Sequence, residues 1–255
     1  MELHFKKIGD KGQALIILHG VFGSSDNWMT LGRKLSEHYQ VYLVDQRNHG
    51  KSPHSEEFSY EAMKEDLKNF IEEHQIENPI IIGHSMGGKV SMLFALQYPE
   101  LYDQLIVVDI AARSYPVHHG DILEGLNAIH LDGLASRKDA DQQFSKYESN
   151  MGVRQFLLKN LYRDKEKGFQ WRFNLAAITE GIENISIEIK SEQPNDKPTL
   201  FIRGLKSHYI SDADQPHLAT LFPQANFLDF EDAGHWIHAE KPMEFYEAII
   251  NFTSR

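Results

Sequence analysis

A chain of 255 residues, 41% hydrophobic and 25% charged, has the balance of a globular protein able to bury a sizeable core, which excludes collagenous, coiled-coil and wholly disordered classes. With 37 acidic against 26 basic residues the net charge is −11, so phosphate backbones and anionic lipid surfaces are disfavoured partners. Cysteine is absent, which removes disulfides, thiolate nucleophiles and sulfur-based zinc sites.

The segment Met1-Glu2-Leu3-His4-Phe5-Lys6-Lys7 is not followed by a secretory apolar run. No window approaches the roughly 18 apolar residues of a membrane span. A cytoplasmic protein without nucleic-acid or membrane partners is expected. Ala14–Leu18 is a short apolar run that predicts a buried strand, followed by His19-Gly20. Trp28, Leu31, Leu35 and Tyr39 recur at helical spacing. Val41–Val44 is the next strand, closed by Asp45. Met63, Leu67, Phe70, Ile71 and His74 share one helical face. Ile80–Ile82 is a third strand and runs into Gly83. Met86, Val90, Leu93 and Phe94 predict a helix that stops before Pro99. Leu105–Val108 is a fourth strand and ends at Asp109.

The rhythm then changes. From about Ala111 to Glu192 strand signal fades and amphipathic faces take over. These are Ile122, Leu126 and Ile129, then Val153, Phe156, Leu157 and Leu161, then Ile178, Ile182 and Ile185. Ser136 and Asp139 have the spacing of a capping box. Gln193–Pro198 closes this stretch with turn-forming residues. Strands at Thr199–Ile202 and Asn226–Phe230 follow, and a last helix begins at Pro242 with Phe245, Ile249 and Phe252 on one face. Continuous apolar strands between amphipathic helices predict an α/β fold with a mostly parallel sheet covered on both faces. The predicted organisation is a core of residues 1–110 and 197–255. A helical cap, residues 111–196, is inserted after the strand ending at Asp109. Ligands of such sheets bind beyond the carboxyl ends of the strands, where Asp45, Gly83 and Asp109 stand.

Gly83-His84-Ser85-Met86-Gly87 is the sharpest chemical signal. It is a G-x-S-x-G pattern between a strand and a helix, the context in which a nucleophilic serine is pushed out above a sheet. A serine hydroxyl needs a base. Two histidines follow the last strand, and His235, in the loop directly after it, is the expected base. His238 reads better as a satisfied surface histidine. The acid is more open. Asp109 ends the fourth strand, where a carboxylate is costly to bury without a partner. Asp212, after the Thr199–Ile202 strand, is the alternative. Asp109 is preferred, and Ser207 would then donate a supporting hydrogen bond. One oxyanion amide is expected at Met86. The other comes from His19-Gly20-Val21-Phe22-Gly23, with Val21 the first choice and Phe22 the second. His19 reads as a buried histidine bracing that loop, and Arg47-Asn48-His49 as a second brace.

These segments resemble a known family. His19–Ser24, Asp45–Gly50, Gly83–Lys89, Val108–Ala111, Trp171–Asn174, Gly234–Trp236 and His238–Pro242 together are similar to serine hydrolases of the α/β-hydrolase fold. Within it they resemble the small bacterial YbfF-type esterases. The resemblance spans nearly the whole chain. It implies an esterase or acyl-CoA thioesterase with a small helical cap, an acid at Asp109 and assistance from Ser207. A small acyl ester or acyl-CoA is the expected partner, with no cofactor and no metal. His118 and His119 are adjacent and lack a carboxylate cluster, which argues against a metal site. Trp171 and Phe173 either line the substrate pocket or pack the cap on the sheet. Serine at position 85 argues against haloalkane and epoxide hydrolysis, which need a carboxylate nucleophile. A non-catalytic ligand receptor and a carbon–carbon bond hydrolase are the alternatives on the same scaffold.

Between Arg154 and Arg172, six cationic residues stand against Asp164 and Glu166. The plain reading is a solvated face. The sharper one is that Arg163, Lys165 and Lys167 meet the phosphates of an acyl-CoA. A histidine base must also be neutral, and free imidazole titrates near about 6.5. Activity is therefore expected to fall on acidification.

Overall fold

Alternate residues of the central strands are apolar on both sides, so each strand needs cover on two faces. A computed structural model describes residues 1–116 and 120–254, which leaves His118 and His119 outside the described residues. Its strands are β1 (Phe5–Ile8), β2 (Ala14–Leu18), β3 (Gln40–Val44), β4 (Ile80–His84), β5 (Gln104–Val108), β6 (Leu161–Asp164), β7 (Gly168–Trp171), β8 (Thr199–Gly204) and β9 (Ala225–Phe230). Its helices are α1 (Met29–Leu35), α2 (Tyr60–Glu73), α3 (Met86–Gln97), α4 (Gly120–Asn127), α5 (Arg137–Phe144), α6 (Met151–Leu158), α7 (Leu175–Gly181), α8 (Gln215–Leu221), α9 (Ile237–Glu240) and α10 (Pro242–Thr253).

Seven strands form one sheet in the order β1-β3-β2-β4-β5-β8-β9. Only β1 runs antiparallel, pairing Phe5 with Val44 and Ile8 with Val41. The other strand pairs are parallel. Ile16, Leu18, Ile81, Leu105 and Val107 enter one core with Leu67 and Phe70 of α2 and Phe94 of α3. Leu15, Ile17, Ile80, Ile82, Ile106 and Val108 enter a second with Leu31 and Leu35 of α1 and Phe245 and Ile249 of α10. The expected architecture is therefore the observed one. Strand β1 escapes the sequence pattern because it is a half-exposed edge strand, FKKI, with two lysines at its centre.

Residues 111–196 differ from the expectation of helices alone. They include a β-hairpin, β6 with β7, paired from Leu161–Trp171 to Asp164–Gly168. Leu161 and Phe169 are its buried members. Asp164 closes the turn by accepting from the Glu166 and Lys167 amides, each at 2.9 Å, and Gly168 takes φ 75°. The hairpin is short and partly polar, so it leaves no apolar run to read. Ser136 caps α5 by accepting from the Asp139 amide, which is the serine half of the capping box that the spacing predicts. Among the described residues no helix is long and apolar enough to cross a membrane.

Candidate active site

Strand β4 and helix α3 are joined by a single residue, Ser85, at φ 52° and ψ −117°. A non-glycine residue there carries strain on the order of 1–3 kcal/mol. Its neighbours hold it. The Ser85 amide donates to the Val108 carbonyl of β5 at 3.0 Å, and its carbonyl accepts from the Gly88 amide at 2.8 Å. Glycine is forced on both sides by crowding. A Cβ on Gly83 would fall 2.2 Å from Ser91 Oγ, and one on Gly87 would fall 2.6 Å from the Leu18 carbonyl oxygen.

Asp109 leaves the end of β5, also with positive φ, and is fully buried. Three donors surround its carboxylate. His235 Nδ1–H donates to Oδ2 at 2.7 Å, the Ser207 hydroxyl donates to the same oxygen, and the Gly204 amide donates to Oδ1 at 3.1 Å. With Nδ1 committed as donor, His235 Nε2 is the acceptor nitrogen of that ring. Asp212, the alternative acid, is exposed and pairs with Arg203 at 2.7 Å. Ser85 and His235 line one cavity. No hydrogen bond joins them among the described residues. Such bonds are commonly long in free enzymes and tighten with substrate.

His238 is a correction: it is buried rather than on the surface, and its ring stacks on Trp28 at 3.9 Å. Burial pushes it down to about 3, so it stays neutral. His84, the variable residue before the serine, donates from Nε2 to the His235 carbonyl at 2.8 Å. Burial first, then the nearby His235 and His238, hold its pKa well below that of free imidazole. The Tyr209 ring stacks on His235 at 4.2 Å.

The loop after β2 brings Val21 and Phe22 beside the serine. Phe22 does not offer a second oxyanion amide, because its N–H donates to His49 Nε2 at 3.1 Å. Burial lowers His49 to about 3 and keeps it a neutral acceptor. Its other nitrogen bonds the Arg47 carbonyl at 2.9 Å. Arg47 is itself clamped by Asp66 at 2.6 and 3.0 Å. His19 accepts from the Gln46 amide and donates to the Gly20 carbonyl, at 3.0 and 2.8 Å. Both histidines therefore brace the loop. The amides of Val21 and Met86 have no protein acceptor among the described residues.

Two cavities reach Ser85. The larger, about 190 Å³, is walled by Phe22, Trp28, Phe156, Leu157, Tyr209 and Trp236, and contains His235. The smaller, about 40 Å³, is walled by Tyr60, Met86, Ile110, Tyr115, Ile182 and Ile185. Trp171 and Phe173 line neither. They stack on each other at 5.0 Å, and Phe173 packs edge-on against Phe22 at 5.3 Å, fastening the hairpin to the loop. The basic stretch is divided. Arg154 is bound by Asp141 at 2.8 Å, and Arg163 lies over Phe169. A groove sharing Val153, Phe156 and Trp236 with the larger cavity is lined by Lys159 and Arg172, and also by Asp26 and Glu240.

The chain belongs to the α/β-hydrolase fold family, whose pattern it matches over residues 13–146 and 136–242. It is 37% identical over 247 residues to an sn-1-specific diacylglycerol lipase of Mus musculus, covering 94% of this chain and 80% of that one. It is 36% identical to esterase YbfF of Escherichia coli strain K12, covering 93% and 92%. Among solved structures, a marine microorganism esterase superposes with a TM-score of 0.96 at 41% identity, over 98% of this chain and 99% of that one. The chain is thus an α/β hydrolase resembling the YbfF-type esterases.

His49 braces the loop as the sequence predicts, whereas His84 and Tyr209 are the site residues to which the sequence assigned no role. His84 lies inside the motif segment Gly83–Lys89, so position alone pointed to it. Tyr209 had no sequence signal, since its stacking on His235 depends on a loop that only folding brings there.

Proposed function

We propose that this protein is a serine hydrolase that cleaves carboxylic esters through an acyl-enzyme on Ser85. The observation that carries the reading is the His235–Asp109 pair, held by two further donors, Ser207 and Gly204, and opening into the cavity of a strained serine. Ser85 Oγ attacks the ester carbonyl and passes its proton to His235 Nε2. Asp109 holds the imidazole tautomer and offsets the positive charge that forms. The Val21 and Met86 amides receive the oxyanion, where one donor is worth about 10²–10³ in kcat. His235 then protonates the leaving alcohol, and water, activated by the same nitrogen, releases the acid. The names of the mouse and bacterial relatives, a lipase and an esterase, support an ester as substrate.

Ser85→Ala should abolish p-nitrophenyl ester hydrolysis with an unchanged circular dichroism spectrum. A fluorophosphonate should add one adduct, mapped to Ser85 by mass spectrometry. A variant that keeps ordinary activity refutes the reading.

A thioester of coenzyme A is a second substrate class, favoured by one observation: Lys159 and Arg172 line the groove next to the larger cavity. Lys159→Gln with Arg172→Gln should raise KM for an acyl-CoA several-fold, and more so at low salt, because exposed charges are screened. KM for a neutral ester should not move. Equal changes for both substrates refute the thioester assignment.

A further inference from the structure

The two cavities at Ser85 differ in one chemically decisive residue. The larger contains His235 and the smaller does not; Ser85 and Val21 border both, and Met86 borders only the smaller. In ester cleavage the Ser85 Oγ–carbonyl bond forms and the carbonyl–alkoxide bond breaks. The proton taken from Ser85 travels on His235 to the departing alkoxide, so the alcohol must leave on the side of His235. The acyl chain is attached to the carbonyl carbon, faces the other way and stays behind on the serine. We infer that the smaller cavity is the acyl site and that it restricts the acid half of the substrate to short chains, while the alcohol half occupies the larger cavity and its adjoining groove. This deepens the serine-hydrolase reading and rests on it.

The size is the argument for a short chain. One water needs about 10–15 Å³ of such space, so about 40 Å³ takes roughly three non-hydrogen atoms beyond the carbonyl carbon. That corresponds to acyl groups up to about butyryl. The walls are also fastened rather than soft. The Tyr60 hydroxyl donates to the Ile185 carbonyl at 2.6 Å. The Tyr115 hydroxyl accepts from the Ala111 amide at 2.8 Å and donates to the Tyr209 carbonyl. Beneath both rings lies the Lys89 ammonium, 5.7 Å from the Tyr60 centroid and 4.9 Å from that of Tyr115. Swinging the Tyr60 ring aside breaks a buried hydrogen bond, which costs on the order of 1–3 kcal/mol, and swinging Tyr115 breaks two half-buried ones. The mouse relative is named for diacylglycerols, and a fatty acyl chain is far larger than this site. Ile110, Ile182 and Ile185 supply the aliphatic wall and are the residues that set the length limit.

Two substrate series test the assignment on the intact protein. One fixes p-nitrophenol and lengthens the acid from acetate to decanoate. The other fixes acetate and lengthens the alcohol. In the first, kcat/KM should peak between acetate and butyrate and fall at least about tenfold by octanoate, since one misfit methylene is worth about 10-fold or more. In the second the profile should be much flatter. Ile182→Ala should raise the octanoate-to-acetate ratio about tenfold. If that variant fails to fold, the milder Ile182→Val and the wild-type series still decide. A flat or rising acid series paired with a steep alcohol series overturns the assignment while leaving the serine hydrolase intact. Absence of turnover on every ester, with no fluorophosphonate adduct on Ser85, overturns both.

Discussion

The carboxyl edge of the sheet and the segment inserted above it, residues 111–196, are built on different principles. At the sheet edge, Ser85 and Asp109 are each placed by a parallel ladder: Ser85 donates to Val108, and Asp109 donates from its amide to the Ile202 carbonyl at 2.8 Å. Both positive-φ residues sit at strand ends buried between two apolar cores. The inserted segment has helices of only seven or eight residues. Helices that short depend on caps and on packing rather than on their own propensity. Ser136, Asn150 and Asn174 supply side-chain caps. Polar ties also hold the segment down. The Asn174 backbone N–H donates to the Asn48 carbonyl at 2.8 Å, and Asn160 Nδ2 donates to the Phe22 carbonyl at 2.8 Å. Lys89 Nζ bridges both crossing points, donating to the Arg113 carbonyl at 2.7 Å and to the Ile187 carbonyl. The lesson is a division of labour. Groups proposed for bond making sit on the stiff ladder, and groups proposed for substrate choice sit on a part fastened by separate polar ties.

The sharpest way to break that comparison is at the sheet edge. Asp109→Asn keeps the volume but favours the wrong imidazole tautomer, and an equivalent change in serine proteases lowers kcat about 10⁴-fold. Asp212→Asn, which only removes a surface partner of Arg203, should change kcat less than about twofold, within the range of surface ion pairs. Steady-state kinetics on one ester separates the two. A crippled Asp212→Asn with a mild Asp109→Asn would move the acid to the later loop.

The second effect concerns acid stability. His19, His49, His84 and His238 are buried, and burial lowers all four, His49 and His238 to about 3. Below about 6.5 the unfolded chain takes up protons that the folded state refuses, so stability falls as pH drops from there towards 3. One such histidine accounts for up to about 2 kcal/mol between pH 7 and pH 5. Urea denaturation at the two pH values should show the loss, and His238→Phe, which retains a ring against Trp28, should reduce it. An unchanged unfolding free energy at pH 5 would contradict the neutral-histidine network.

The smallest effect is expected at the junction itself. Lys89→Met leaves the Arg113 and Ile187 carbonyls without their donor but also removes an ammonium that burial pushes down to about 7. The net cost should be on the order of 1 kcal/mol. The local signature is more telling than the total. Amide exchange at residues 111–116 and 186–189 should accelerate, while β4 and β5 keep their protection. Uniform acceleration across the sheet would show that the segment and the core open together.

The sequence by itself determined the fold and singled out Ser85 as the serine proposed to react, because both are written in local patterns. Unbroken apolar runs such as Ile80–Ile82 declare strands buried on two faces, and glycines around Ser85 declare a turn with no room for a side chain. The hairpin at Leu161–Trp171 and the edge strand Phe5–Ile8 were not legible, since each is short, partly polar and stabilised by its partner strand. Only the tertiary structure chose between alternatives of equal local merit. It set Asp109 rather than Asp212 on His235, across 126 positions of sequence. It committed the Phe22 amide to His49, and it turned Trp171 and Phe173 into packing residues instead of a pocket wall. Each choice depends on distances between residues far apart in the chain, which no local periodicity encodes.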